Sequence, residues 1–362
     1  MKRDARLDII RIFSLFCVVA VHFLLNCGFY NEIVEGKKML FMCIYKAFFI
    51  ICVPMFITLT GYLKNKEKLS KNYFKKIEKI LIIYVICSII YSIFTKYYLK
   101  QDMNFSIFIK NLLSYKGTEY SWYIEMYIGL FLLIPFLNLI YNNLNGKQEK
   151  RILMIVLFCL IGLNGIVNIF KFGDIEWWKN PSTNGEYVQF IPKWWTSIYP
   201  IFYYFLGAYL REFKLKIRNS KLAILIVVSV VLLGFFDYYR SYKSEYIGGA
   251  WTEYGSGFVM IITALVFSFL LNINVKENKK KELVLKYMSN ACLGAYLISC
   301  MFDKIYYKKL EIIVPNVKDR FIYMPIMVLA SFASSMILSI IINKVYEYIK
   351  SGINNLKVRR SN

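Results

Sequence analysis

The chain is written in long apolar blocks separated by short polar ones, and the blocks share a common length. About twenty residues of nearly unbroken hydrophobicity recur from end to end, the length an α-helix needs to cross a hydrocarbon core of roughly 30 Å. Taken in order, the blocks predict ten helical spans, at about 9–29, 39–63, 79–98, 121–141, 152–170, 195–210, 222–239, 255–272, 285–302 and 321–345. The expected fold class is therefore an all-α, polytopic integral membrane protein of about ten transmembrane helices. Residues 1–350 form one membrane domain and 351–362 a basic tail, with no long linker, low-complexity tract or soluble appendage.

Basic residues gather in every second polar block: "KNKEKLSKNYFKKIEK", "GKQEKR", "REFKLKIRNSK", "KENKKKE" and the tail "KVRR". The positive-inside rule puts these segments, and with them both termini, in the cytoplasm. A net charge of +23 then speaks for an anionic inner leaflet and against nucleic acid, because no single soluble module collects it. The blocks on the other side are a different material. "KFGDIEWWKNPSTNGEYVQFIPKWW" carries Trp177, Trp178, Trp194 and Trp195 beside Asp174, Glu176 and Glu186, and "SYKSEYIGGAWTEYGSG" has similar content. Paired tryptophans suit an interfacial belt. The alternative is that some rings stack on sugar faces while amides and carboxylates take hydroxyls.

Composition narrows the class further. The chain is 58% hydrophobic with a mean hydropathy of +0.45, where soluble domains hold roughly 45–50% apolar residues. Eight cysteines fall within or beside apolar blocks without a C-x-x-C pair, and there is one histidine. That excludes an ordinary zinc site, predicts no metal, and makes the cysteines small buried apolar residues. The first block lacks a small-residue cleavage pattern and reads as a retained span into the plasma membrane. There is no G-x-S-x-G, P-loop or H-E-x-x-H, so hydrolase, ATPase and zinc-protease chemistry has no motif.

The single histidine sits inside the first span, "RLDIIRIFSLFCVVAVHFLL". Arg11 and His22, eleven residues apart, differ by about 20° in helical direction and about 16 Å along the axis. Asp8, Arg11, Leu15, Val18, His22 and Asn26 thus share one face, polar at both ends. Ionisable groups within spans face the bundle interior and mark substrate or proton paths, although Arg11 at a helix end can also snorkel and Asp8 can be its local ion pair. Lys46, inside the second span, either stabilises developing negative charge or snorkels outward.

The same stretch resembles the first span of the membrane acyltransferase-3 family, whose signature is a basic residue and a histidine with ten residues between them, here Arg11 and His22. "VPMFITLTGYL", "YSWYIEMYIGLFLLIPFL", "YPIFYYFLGAYL" and "LGAYLIS" resemble the later family motifs in order along nearly the whole chain. Two places depart. Tyr123 and Ile124 stand where many relatives have Ser-Leu, with Glu125 nearer the tryptophan than their glutamate, and Ser299 stands where the late motif often has histidine.

The resemblance implies an integral-membrane O-acyltransferase. Such a protein moves an acyl group, usually acetyl from cytoplasmic acetyl-CoA or another short acyl-CoA, to a hydroxyl of an extracytoplasmic cell-surface glycan. Partners would be membrane lipids and glycan-synthesis proteins. His22 would be the general base, since its ordinary pKa is near neutrality. Arg11 would bind CoA phosphates, with Lys76 and Lys79 in "FKKIEKIL" falling where relatives carry arginines. Asp8 would complete the catalytic face, and Trp122, Tyr123, Glu125 and Asn26 would orient the acceptor. The competing class is a transporter or exporter of a surface polysaccharide or small solute, and the sequence has no inverted repeat that decides it.

Overall fold

The computed structural model describes residues 3–182 and 188–361, so Glu186 lies outside the described part. Each of the ten apolar blocks falls mostly on helix. In chain order these are α1 (Ala5–Asn26), α2 (Gly36–Lys64), α3 (Lys71–Tyr97), α4 (Trp122–Asn143) and α5 (Gly146–Leu157, prolonged by Phe158–Gly162 and Asn164–Val167). They continue with α6 (Tyr199–Glu212), α7 (Asn219–Ser241), α8 (Gly257–Leu271), α9 (Lys279–Ile313) and α10 (Met324–Ser361). Among the described residues there is no strand, only an isolated bridge between Val34 and Tyr242. The protein is an all-α polytopic membrane protein.

Seven helical stretches have the length and hydropathy to cross a membrane: α1, α2, α3, α4, α7, α9 and Val317–Tyr348, which holds most of α10. The other three blocks form shorter helices. α8 is apolar but has 15 residues, α6 has 14, and α5 changes to a wide π turn at Phe158–Gly162 before its last short turn. α10 runs without a break across the point where the basic tail was expected to start.

Burial ranks the helices. Of the apolar window of α1, 67% is buried, against 28% for α3 and for α7. α1 is therefore the central post, packed by α9, α10 and the second half of α2. α7 turns Ile224, Val227, Val228, Leu232 and Phe235 outward along one face, where hydrocarbon chains rather than water meet them. At its start α1 is capped by Asp4, which accepts from the Arg6 amide at 3.0 Å. The Arg6 guanidinium, hydrogen-bonded at 2.7 Å, holds the Asp4 carboxyl below its ordinary value.

Two local features shape the interior. α2 is interrupted at Ile50 and Ile51, four residues before and three before Pro54, whose ring displaces the Ile50 carbonyl and offers it no N–H. The break turns Ile50, Cys52 and Val53 toward a cavity. Further along, α2 and α6 cross at two glycines. A Cβ on Gly61 would lie 1.9 Å from the Tyr204 carbonyl oxygen, and one on Gly207 would lie 1.9 Å from that of Thr58. Membrane helices use small residues in this way to let backbones touch. Gly61→Ala or Gly207→Ala is expected to cost about 1–3 kcal/mol or more, read as a lower melting temperature of the detergent-solubilised protein. An unchanged melting temperature for both would contradict so tight a crossing.

Candidate active site

His22 is buried on the central helix, 8% exposed, and its Nδ1 lies 3.6 Å from Oδ2 of the fully buried Asp303 on α9. That separation exceeds a good hydrogen bond, and Nδ1 has no hydrogen-bond partner. The carboxylate itself is well held. The Tyr120 hydroxyl donates to Oδ2 at 3.0 Å, and the Ser331 hydroxyl donates to Oδ1 at 2.6 Å. Asn26, one turn beyond His22, donates from Nδ2 to the His22 carbonyl at 2.8 Å and to the Tyr120 hydroxyl at 3.3 Å. The imidazole lies over the Tyr120 ring with centroids 3.9 Å apart.

Tyr120 arrives from a loop, not a helix, and the loop is fixed by its packing. Gly117 presses on α3 so closely that a Cβ would meet Ser88 Oγ at 2.1 Å, and its amide donates to the Tyr84 hydroxyl at 3.2 Å. Thr118 and Ser121 close the turn with hydrogen bonds of 2.9 and 2.8 Å. From α9, the Tyr296 hydroxyl donates to the Tyr120 carbonyl.

Two neighbouring spaces share walls at this point. One of about 180 Å³ is lined by His22, Tyr120, Trp122, Tyr254, Ile50 and Cys52, among others. The other, about 310 Å³, is lined by Arg11, Lys79, Ser289 and Asn290 at one part of its wall and by Phe56, Tyr123 and Tyr127 elsewhere. Val18, Val53 and Tyr296 belong to the walls of both. The α1 face that carries Arg11, Val18 and His22 thus borders two neighbouring spaces. Arg11 donates to Ser289 Oγ at 2.9 Å, and its remaining guanidinium donors are free for an anion entering the larger space.

The other residues singled out in the sequence divide. Lys79 lines the Arg11 space, whereas Lys76 is at the surface, hydrogen-bonded to both Glu67 oxygens at 2.6 and 2.7 Å. Asp8 does not pair with Arg11. Its carboxylate is gripped by Arg3 through two bonds of 2.7 Å. Trp122 lines the His22 space, Tyr123 lines the Arg11 space, and Glu125 is exposed and lines neither. Lys46 does not snorkel. It is 4% exposed with Nζ 4.8 Å from the Tyr246 ring centre, and it lines neither space. Of the paired tryptophans, Trp177 is buried and Trp194 is 90% exposed. Asp303, Tyr120, Ser331 and Tyr296 are the additions that the sequence reading missed. Asp303 carried a signal, since it is the first acidic residue after the apolar run "LGAYLISCMF", and a carboxylate at a span end deserves the same scrutiny as a histidine within one.

The fold and this buried histidine–carboxylate cluster define a helical membrane protein with cavities in its core that are largely apolar and carry a few polar groups. A family model described as an acyltransferase domain matches residues 4–344, nearly the whole chain. The chain belongs to the acyltransferase-3 family and is a membrane acyltransferase. Comparison with curated proteins and with solved structures finds no match.

Proposed function

We propose that this acyltransferase moves a short acyl group, acetyl in the first instance, from cytoplasmic acyl-CoA to a hydroxyl of an extracytoplasmic cell-surface glycan. The observation that carries the reading is the shared wall of Val18, Val53 and Tyr296, which sets the Arg11 space directly against the His22 space. A donor held at one end and an acceptor at the other can meet without either crossing the bilayer.

In this scheme the phosphates of CoA rest on Arg11 and Lys79, and the thioester reaches past Val18 toward His22. The ring nitrogen away from Asp303, Nε2, takes the proton of the sugar hydroxyl as its oxygen attacks the thioester carbonyl. The tetrahedral intermediate collapses by breaking the C–S bond, and the departing thiolate recovers the proton from the imidazolium. Asp303, on the Nδ1 side, steadies the imidazolium charge while Tyr120 and Ser331 keep the carboxylate in place. An ester and free CoA thiol result, with no other reactant.

The test is mass analysis of surface glycans from cells with and without the gene. A mass loss of one acyl group per modified sugar supports the reading, and unchanged glycans from well-expressing cells sink it. Arg11 supplies a second check. Arg11→Ala is expected to raise half-saturating acyl-CoA by about 10–100-fold, the loss of a charge-assisted hydrogen bond of about 1.5–3 kcal/mol. Arg11→Lys should recover only part of it, because the ammonium keeps the charge but not the bidentate fork.

A further inference from the structure

The His22 space is the last of a series. Ile50 and Tyr254 on its wall also line a second space of about 450 Å³. Thr196 and Glu253 on the wall of that one also line a third, about 380 Å³, between the end of α5 and the loop before α8. Three cavities thus lie side by side from the loops to the imidazole, each sharing wall residues with the next.

The wall farthest from His22 is polar and rigidly built. Asn164 and Asn168, one turn apart at the end of α5, are 2% and 3% exposed. The Asn168 Oδ1 accepts from the amides of Phe190 and Ile191 at 2.9 and 3.1 Å, and its Nδ2 donates to Asn164 Oδ1 at 2.7 Å. Asn164 Nδ2 donates onward to Thr196 Oγ1 at 3.1 Å. Thr196 has then accepted a hydrogen bond and keeps its own proton to donate. Glycines press the facing loop into place. A Cβ on Gly165 would lie 2.4 Å from the Ala250 carbonyl oxygen, and one on Gly255 would lie 2.7 Å from Thr196 Cγ2. Arg240, which also lines the third space, is held between the Trp177 and Trp251 rings at 5.0 and 4.9 Å with Nη1 on the Pro181 carbonyl, so it serves as wall. Glu253 is exposed on the shared wall beside Thr196. Nearer His22 the lining turns aromatic, with Trp122 and Tyr254 stacked at 6.0 Å and Tyr199 against Tyr254 at 5.7 Å.

We propose that this series of cavities is the acceptor's binding cleft, and that it takes a chain of pyranose sugars. Thr196 and Glu253 hold one sugar there, while Tyr254 and Trp122 guide the next toward His22. A hydroxyl that donates beside a carboxylate that accepts is the complement of a vicinal diol, whose groups each do both. Flat aromatic faces suit the C–H face of a sugar ring. Lys193 and Arg240 share the third space with Glu253, so its wall carries charges of both signs. This inference rests on the glycan-acylating reading and moves the acceptor contacts from Glu125 and Tyr123 to Glu253 and Thr196.

The experiment titrates purified full-length protein in detergent with oligosaccharides released from the producing cells' own surface glycans, reading binding by saturation-transfer NMR. Wild type and His22→Ala should bind the same fractions with equal half-saturation. Glu253→Gln and the near-isosteric Thr196→Val should each raise it about tenfold, the weight of one polar contact, with unchanged melting temperature. In the transfer assay both should raise half-saturating glycan by that factor while half-saturating acetyl-CoA stays put. Wild type binding no fraction, or both variants binding as wild type does, overturns the proposal. Binding is read without chemistry, so a failure of the acyl-transfer reading appears separately, as wild-type protein that binds sugar yet transfers no acyl group.

Discussion

Replacing His22 by alanine is expected to slow acyl transfer by about 10²–10⁴-fold, the span covered by a lost general base, while the protein still assembles. The imidazole is the chain's one histidine, so no neighbour of the same kind can take over the proton. Its removal leaves little unsatisfied. Nδ1 has no hydrogen bond to lose, and Asp303 keeps the hydroxyls of Tyr120 and Ser331. The structural cost is the contact with the Tyr120 ring, so melting temperature should fall by only a few degrees. His22→Gln fills more of the space and is expected to be equally inactive, because an amide is no base at neutral pH. Cells making either variant at wild-type levels should carry unacylated glycans. Full acylation in such cells would remove His22 from the chemistry. Failed glycan export together with intact acylation would favour a conduit.

What the sequence made legible here is what helical periodicity preserves. Arg11, Val18 and His22 are close in sequence on one regular helix, so the arithmetic of one face carried over to cavity walls unchanged. The residues that were missed come from elsewhere in the chain. Asp303 reaches His22, and Ser331 reaches Asp303, only because α9 and α10 pack on α1, and Tyr120 meets the imidazole from a loop fixed by a glycine contact. Periodicity also failed where the helix was not regular. Lys76 lies in a tight turn, Lys75–Ile77, and Lys79 in the α-helix that follows, so three residues of spacing separate a surface pair with Glu67 from a cavity wall. Asp8 and Arg11 had the spacing of an ion pair, but Arg3, ahead of the helix, reaches back with both arms of its guanidinium and wins. Hydropathy located ten helical blocks, yet it does not measure their length. The π turn in α5 and the late start of α6 at Tyr199 shorten helices inside blocks that read as continuous.

Asp303→Asn is expected to lower kcat by about 10²–10⁴-fold, as in the serine proteases where the equivalent change costs about 10⁴. The amide has nearly the same shape, and its oxygen can still accept from one of the two hydroxyls. What it lacks is the negative charge 3.6 Å from Nδ1, and a charge there matters most when the ring becomes an imidazolium. Half-saturating acyl-CoA should not move, because Arg11 and Lys79 line a different part of the cavity system. Removing the supports should do less. Ser331→Ala and Tyr120→Phe each take away one hydrogen bond to the carboxylate, worth about 1.5–3 kcal/mol to a charged group, without removing the charge. The decisive measurement is the double variant. If Asp303 acts through His22, then His22→Ala with Asp303→Asn transfers acyl groups no more slowly than His22→Ala alone, since residues that work as a unit are not additive. Multiplying losses would mean that Asp303 serves the reaction by a route that bypasses the imidazole.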